Sequence, residues 1–141
     1  MDNSAAAVRT DLEAAGVAVV DCHLRANKCL SLADGALVAV DPAKFETDQE
    51  EATALIHEEG HFDSGAFYVP YSPYQVKAQA EYRADKAAAL KRVPPGELID
   101  TMQRGLDIWE IAEHFNVLPS FVWRVYTIYR DNLGIDFAAP A

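Results

Sequence analysis

Basic residues are scarce in this chain. Twelve Lys and Arg stand against 22 Asp and Glu, and the formal net charge is −10. That balance repels a phosphate backbone, which disfavours broad nucleic-acid binding and leaves room only for a local basic patch. Cysteine is nearly absent. The two thiols, Cys22 and Cys29, are too few for a disulfide scaffold and too far apart for the close pair of a zinc knuckle. They read as ordinary reduced thiols of no assigned role. Long apolar runs are missing as well: the longest, residues 16–20 and 36–40, are too short to cross a bilayer. Residues 1–7 lack a basic stretch followed by an apolar core, so no targeting signal is read there. The expected setting is the cytoplasm, away from membranes.

What is present is enough apolar material for one modest core. Half of the 141 residues are hydrophobic, too little for two ordinary domains. Residues 5–15 carry Val8, Leu12 and Ala15 at helical spacing, with Gly16 as the stop. A short strand is expected over 17–20. Two apolar runs, 29–32 and 36–40, flank Ala33-Asp34-Gly35 and predict a hairpin, hence a small antiparallel sheet. Thr47 with Glu50 three residues on resembles a capping box that opens a helix over 48–61. Residues 65–73 form a loop rich in tyrosine. A second long helix is expected over 74–93, broken by Pro94-Pro95-Gly96. Three short helices follow: 97–104, 108–115, and one capped by Ser120 that runs to about 129. The expected fold class is α+β, mostly helical. Its organisation is a core over 1–93, a C-terminal helical segment over 94–131 packed on it as one unit, and a frayed tail over 132–141.

The run His57-Glu58-Glu59-Gly60-His61 carries the chemistry. Four residues of helix turn about 400°, so both imidazoles leave one face, one turn apart. Two nitrogens at that spacing can reach one tetrahedral metal ion. Glu58, beside the first histidine, is placed to take a proton from water activated there. Two histidines are too few for a catalytic zinc site, which usually takes three protein ligands and a water. His23 and His114 are open as the third. Glu81 is the better candidate, because it lies on the next long helix after a loop that allows the two helices to pack. Asp85, one turn beyond Glu81, could accept the second ring N–H of a ligating histidine. Tyr68, Tyr71 and Tyr82 are candidates for donating to a developing oxyanion or for contacting substrate.

Taken together, these residues resemble the ImmA/IrrE metallopeptidases. The resemblance is carried by Leu55-Ile56-His57-Glu58-Glu59-Gly60-His61, by Gly65-Ala66-Phe67-Tyr68, by Glu81-Tyr82-Arg83-Ala84-Asp85-Lys86, and by Val93-Pro94. It spans about residues 29–129. It implies a minimal zincin-like core and one zinc per chain held by His57, His61 and Glu81, with Glu58 as general base. The family often has Asn where this chain has Asp85, and the added charge sets this chain apart. Members are commonly encoded on prophages and integrative elements, and some cleave a partner repressor that carries a helix-turn-helix. The resemblance therefore implies a hydrolase whose protein partner is a transcriptional repressor of a mobile element.

The late helices read like a helix-turn-helix over Ile108–Phe115 and Ser120-Phe121-Val122. A groove-reading helix carries basic and amide side chains. Here Arg124 and Arg130 stand among Phe121, Val122, Trp123, Val125, Tyr126 and Tyr129, which favours packing or partner docking over direct nucleic-acid contact. Two other functions remain as alternatives: a metal-binding regulator without turnover, and a DNA-binding regulator.

Overall fold

The computed structural model describes residues 1–138. The expected tail lies in part outside them, at 139–141. Six α-helices and a three-stranded sheet make an α+β fold among the described residues. In chain order the elements are α1 (Ala5–Ala14), β1 (Ala18–Asp21), β2 (Cys29–Leu32), β3 (Leu37–Val40), α2 (Asp48–Ser64), α3 (Tyr74–Arg92), α4 (Pro95–Gln103), α5 (Ile108–Phe115) and α6 (Pro119–Thr127). A 3-10 turn precedes α2 and a π turn follows α6. No helix among the described residues is long and apolar enough to cross a membrane.

The sheet departs from the antiparallel expectation. Its order is β1-β3-β2. The hairpin pairs β2 with β3 antiparallel, Leu30 opposite Ala39, but β1 pairs with β3 in parallel, Val19 opposite Val38. The sheet is therefore mixed. The cause is the apolar content of β3: Val38, Ala39 and Val40 are all buried, as a central strand covered on both faces requires. The half-exposed strands take the edges. The polar stretch between β1 and β2 is held by the 3-10 turn. Asp41 accepts from the Leu24 N–H at 3.0 Å, and the Lys44 ammonium donates to the Leu24 and Asn27 carbonyls.

Helix ends follow their local chemistry. The Ser4 hydroxyl accepts from the Ala7 N–H, and the Thr47 hydroxyl from the Glu50 N–H, both at 3.1 Å. A capping box with both bonds forms at Asp107 and Glu110 of α5. Asp48, Glu50 and Glu51 crowd the first turn of α2, where carboxylates favour the helix dipole. That helix runs a turn past the expected end at 61, because nothing stops it before Gly65, which takes φ 67° as its C-cap. Two starts also moved. α4 opens at Pro95 and α6 at Pro119, with Leu118 rather than Ser120 as the cap position. A proline in the first turn gives up an N–H that has no partner within the helix, so Pro95, expected as part of a breaker, is a starter.

Residues from α1 to the π turn share one core. Val8 and Leu12 of α1, Leu55 and Ile56 of α2 and Ala88 of α3 meet Leu98, Phe115, Val125 and Tyr129 in a single cluster. Polar bonds tie the same seam. The Tyr129 hydroxyl donates to the Val93 carbonyl at 2.6 Å. The Asn3 amide donates to the carbonyls of Arg92 at 2.9 Å and Phe115 at 2.8 Å.

Candidate metal centre

The helices α2 and α3 make the centre by close approach. Gly60 faces Ala84 so tightly that a Cβ at residue 60 would lie 2.2 Å from the Ala84 carbonyl oxygen. Only a residue without a side chain allows that packing. On either side of that contact, the two helices present complementary groups. On the core side, Glu59 and Arg92 form a buried bidentate pair, with Nε to Oε1 at 2.8 Å and Nη2 to Oε2 at 2.5 Å. On the open side, Glu81 comes to both histidines.

Glu81 bridges the imidazoles. Its Oε2 lies 3.0 Å from His57 Nε2 and its Oε1 3.2 Å from His61 Nε2. Ligand atoms of the three residues all fall within 4.8 Å of one another. The outer ring nitrogens are engaged separately: His57 Nδ1 meets Asp85 Oδ1 at 3.1 Å, and His61 Nδ1 meets the Ala66 carbonyl at 2.6 Å. Both outer partners are acceptors. They hold a proton on Nδ1 and turn both Nε2 atoms toward one carboxylate, the side on which a metal would be bound. The donor set of two imidazoles and one carboxylate suits zinc, and two ligand atoms held at tetrahedral angles by zinc lie about 3.3 Å apart.

Charge at the centre favours a cation. Burial alone would lower the His57 pKa, but the Asp85 hydrogen bond and the carboxylates of Glu58, Asp85 and Glu81 outweigh it and raise it to about 9. Burial alone would raise Asp85. Its bonds to His57 and Arg124 outweigh that and hold the carboxyl below the usual range. Without a metal, a proton on His57 balances the carboxylates, so an incoming divalent ion must displace it.

Glu58 is 9% exposed and lines a cleft of about 740 Å3 together with His57, His61, Glu81 and the edge strand β2. Phe67 and Val69 supply its apolar wall. Of the three candidate tyrosines, Tyr68 lines this cleft, and the nearby Glu81 carboxylate raises its phenol. Tyr71 is 87% exposed, and Tyr82 packs against the core; neither lines the cleft. His23 pairs with Asp41 at 3.3 Å, away from the centre. His114 stands on the exposed side of α5, its ring edge-on to Phe115. Both cysteines are free. Cys29 borders the cleft, where burial and then Glu58 push its thiol up.

Three features of the centre escape a residue-by-residue reading. Gly60 lies inside the motif helix, and a glycine inside a helix is itself a sign of close packing. Glu59 stands inside the motif with no role of its own until α3 brings Arg92 opposite it. Arg124, on a helix anchored by Phe121, Val122 and Val125, reaches Asp85 Oδ2 at 3.0 Å; an arginine among apolar residues was the available signal. Comparisons of this chain with family models, with curated proteins and with solved structures returned no match.

Proposed function

We propose that this chain is a zinc-dependent peptidase of the ImmA/IrrE type, built on a zincin-like core with a helix-turn-helix-like C-terminal segment. One observation carries the reading. His57, His61 and Glu81 place their ligand atoms within 4.8 Å of one another, and Glu58 lines the same cleft.

Zinc, when bound by these three side chains, would supply a Lewis acid that polarises a peptide carbonyl and eases loss of a proton from water. The remaining work falls to the protein. Glu58 accepts the proton of the attacking water and returns it to the leaving amine nitrogen. Asp85 and the Ala66 carbonyl hold the two imidazoles in the required tautomer. Tyr68, at the cleft rim, donates to the oxyanion that develops on the carbonyl. The substrate class, a transcriptional repressor of a mobile element, follows from the resemblance of the motifs. Direct DNA binding by α6 is disfavoured: Phe121, Val122 and Val125 are buried, and Arg124 is turned toward Asp85.

The test uses zinc-loaded protein, any helix-turn-helix repressor found encoded beside its gene, and unfolded casein as a general substrate. Cleavage of the repressor, abolished in Glu58→Gln with zinc content unchanged, is the expected result. If neither protein is cut with any divalent metal, peptide hydrolysis is wrong, and a metal-binding regulator without turnover takes its place.

A further inference from the structure

We infer that Arg124 of α6 is a positioning residue of the metal centre: it holds Asp85, and through Asp85 the ring of His57, so the C-terminal helix sets how tightly the centre keeps its ion. The inference rests on the metal-binding part of the reading above.

The geometry forms a single chain of contacts. Arg124 Nε donates to Asp85 Oδ2 at 3.0 Å, and Asp85 Oδ1 faces His57 Nδ1 at 3.1 Å. Each carboxylate oxygen therefore has its own partner, one on either side. A carboxylate held at both oxygens cannot rotate away from the imidazole, whereas one held only by His57 can. Asp85 is 15% exposed along its side chain, so its charge requires compensation that solvent gives only in part. Arg124 supplies it. The His57 ring meets Oδ1 alone, and the Oδ2 side falls to Arg124.

Packing does not account for the arginine. α6 is anchored by Phe121, Val122 and Val125, all buried, whereas the Arg124 side chain is 43% exposed. A planar guanidinium suits an acceptor held in one orientation better than a lysine ammonium does. Arg124 also borders a groove shared with His57, Glu58 and Phe121. It therefore stands where a partner seated on α6 would meet the centre.

The experiment is a zinc titration against a competing chelator dye on the full chain. The set comprises wild type, Arg124→Gln, Arg124→Lys, Asp85→Asn and the Asp85→Asn/Arg124→Gln double variant. Circular dichroism on each metal-free protein checks folding. Removing the support of a ligand costs about 10–100-fold in metal affinity. The expected loss for Arg124→Gln is at the lower end, about tenfold, with most of it recovered in Arg124→Lys. In the Asp85→Asn background, Arg124→Gln should add almost nothing, because the route through Asp85 is already cut.

Two results would overturn the inference: unchanged affinity in Arg124→Gln, or an equal loss in both backgrounds, which would mean that Arg124 acts only by holding α6. If Arg124→Gln does not fold, Arg124→Lys in the two backgrounds carries the same comparison, with a smaller loss confined to the Asp85 background. Failure of wild type to take up zinc would overturn this inference together with the metal reading; zinc uptake with an additive cycle would overturn this inference alone.

Discussion

Gly60 of α2 meets the backbone of Ala84 on α3 without room for a methyl group: a Cβ there would lie 2.2 Å from the Ala84 oxygen and 3.2 Å from the Ala88 Cβ. The obstacle is main chain, which cannot rotate aside. Gly60→Ala must therefore push the helices apart, and Glu81 leaves the histidines as they separate. Overpacking a tight contact costs about 1–3 kcal/mol, and a backbone obstacle puts this case at the upper end. Chemical denaturation should show that loss, and zinc uptake should fall with it. A Gly60→Ala protein with wild-type stability and zinc content would contradict the close approach.

The pair on the other side of that contact sets a second expectation. Glu59 and Arg92 are 2% and 1% exposed. Arg92 also reaches Asp11 at 2.8 Å, and Lys91 stands 3.1 Å from Glu59. Removing one partner of a buried pair costs about 3–5 kcal/mol, chiefly because the other charge is stranded. Lys91 still faces Glu59, so Arg92→Met should lose the lower end of that range, about 3 kcal/mol. Glu59→Leu combined with Arg92→Met should recover a large part, since no buried carboxylate remains at residue 59. Urea unfolding of the three proteins decides it; a double variant less stable than Arg92→Met would count against stranded charge as the cause.

The legibility of this chain divides along the same line. The α+β class, the helix bearing both histidines and the helix bearing Glu81 could be read from periodicity, because one-dimensional spacing sets which side chains share a helix face. The partner of each face could not. Strand order depends on which strand the core buries deepest, so β3 took the centre and made the pairing with β1 parallel. Gly60, Arg92 and Arg124 gained meaning only when α2, α3 and α6 were brought together. Tyr68 differs from Tyr71 by three positions in one loop, and only the path of that loop brings the first into the cleft and leaves the second in solvent.

Metal content offers the most direct check of the centre. Elemental analysis should give about one zinc per chain. His57→Ala, His61→Ala and Glu81→Ala should each remove most of it, while Tyr71→Phe leaves it unchanged. Zinc at about a hundredfold above its dissociation constant adds about 2.7 kcal/mol to stability, so a chelator should lower the melting temperature of wild type but not of Glu81→Ala. Retention of zinc in Glu81→Ala with loss in His114→Ala or His23→Ala would show that the third ligand lies elsewhere.

Acid should loosen the turn before α2. The Asp41 carboxyl is held below its ordinary value of 3.8, first by the Leu24 N–H, against the cost of burial, and also by Ala43 N–H, His23 and Lys44. A folded-state pKa below the unfolded one gives stability that is fully present above the unfolded value and lost as the pH falls through the folded one. Asp41→Asn should therefore destabilise the protein at neutral pH. The gap from wild type should close as the pH drops below 3.8. Denaturant midpoints of both proteins across that range test the sign; a gap that widens in acid would show that the carboxylate is a liability there.

The hairpin turn gives the sharpest test of a single backbone angle. An Asp-Gly step between strands leads one to expect Gly35 in the left-handed region. The chain instead places Ala36 there, at φ 45°, and Gly35 keeps an ordinary angle. An L residue in that region costs about 1–2 kcal/mol, partly offset in glycine by its larger loss of freedom on folding. Ala36→Gly should therefore stabilise the protein modestly, by about 0.5–1 kcal/mol. At residue 35 a Cβ would meet only Leu37 Cβ, at an ordinary 3.8 Å. Gly35→Ala should accordingly stabilise by about 0.4–1 kcal/mol through a less flexible unfolded chain. The two changes exchange the order of the residues in the turn, and both should raise the denaturation midpoint. If Gly35 were the left-handed residue, Gly35→Ala would lower the midpoint instead, so the direction of that one shift distinguishes the two turns.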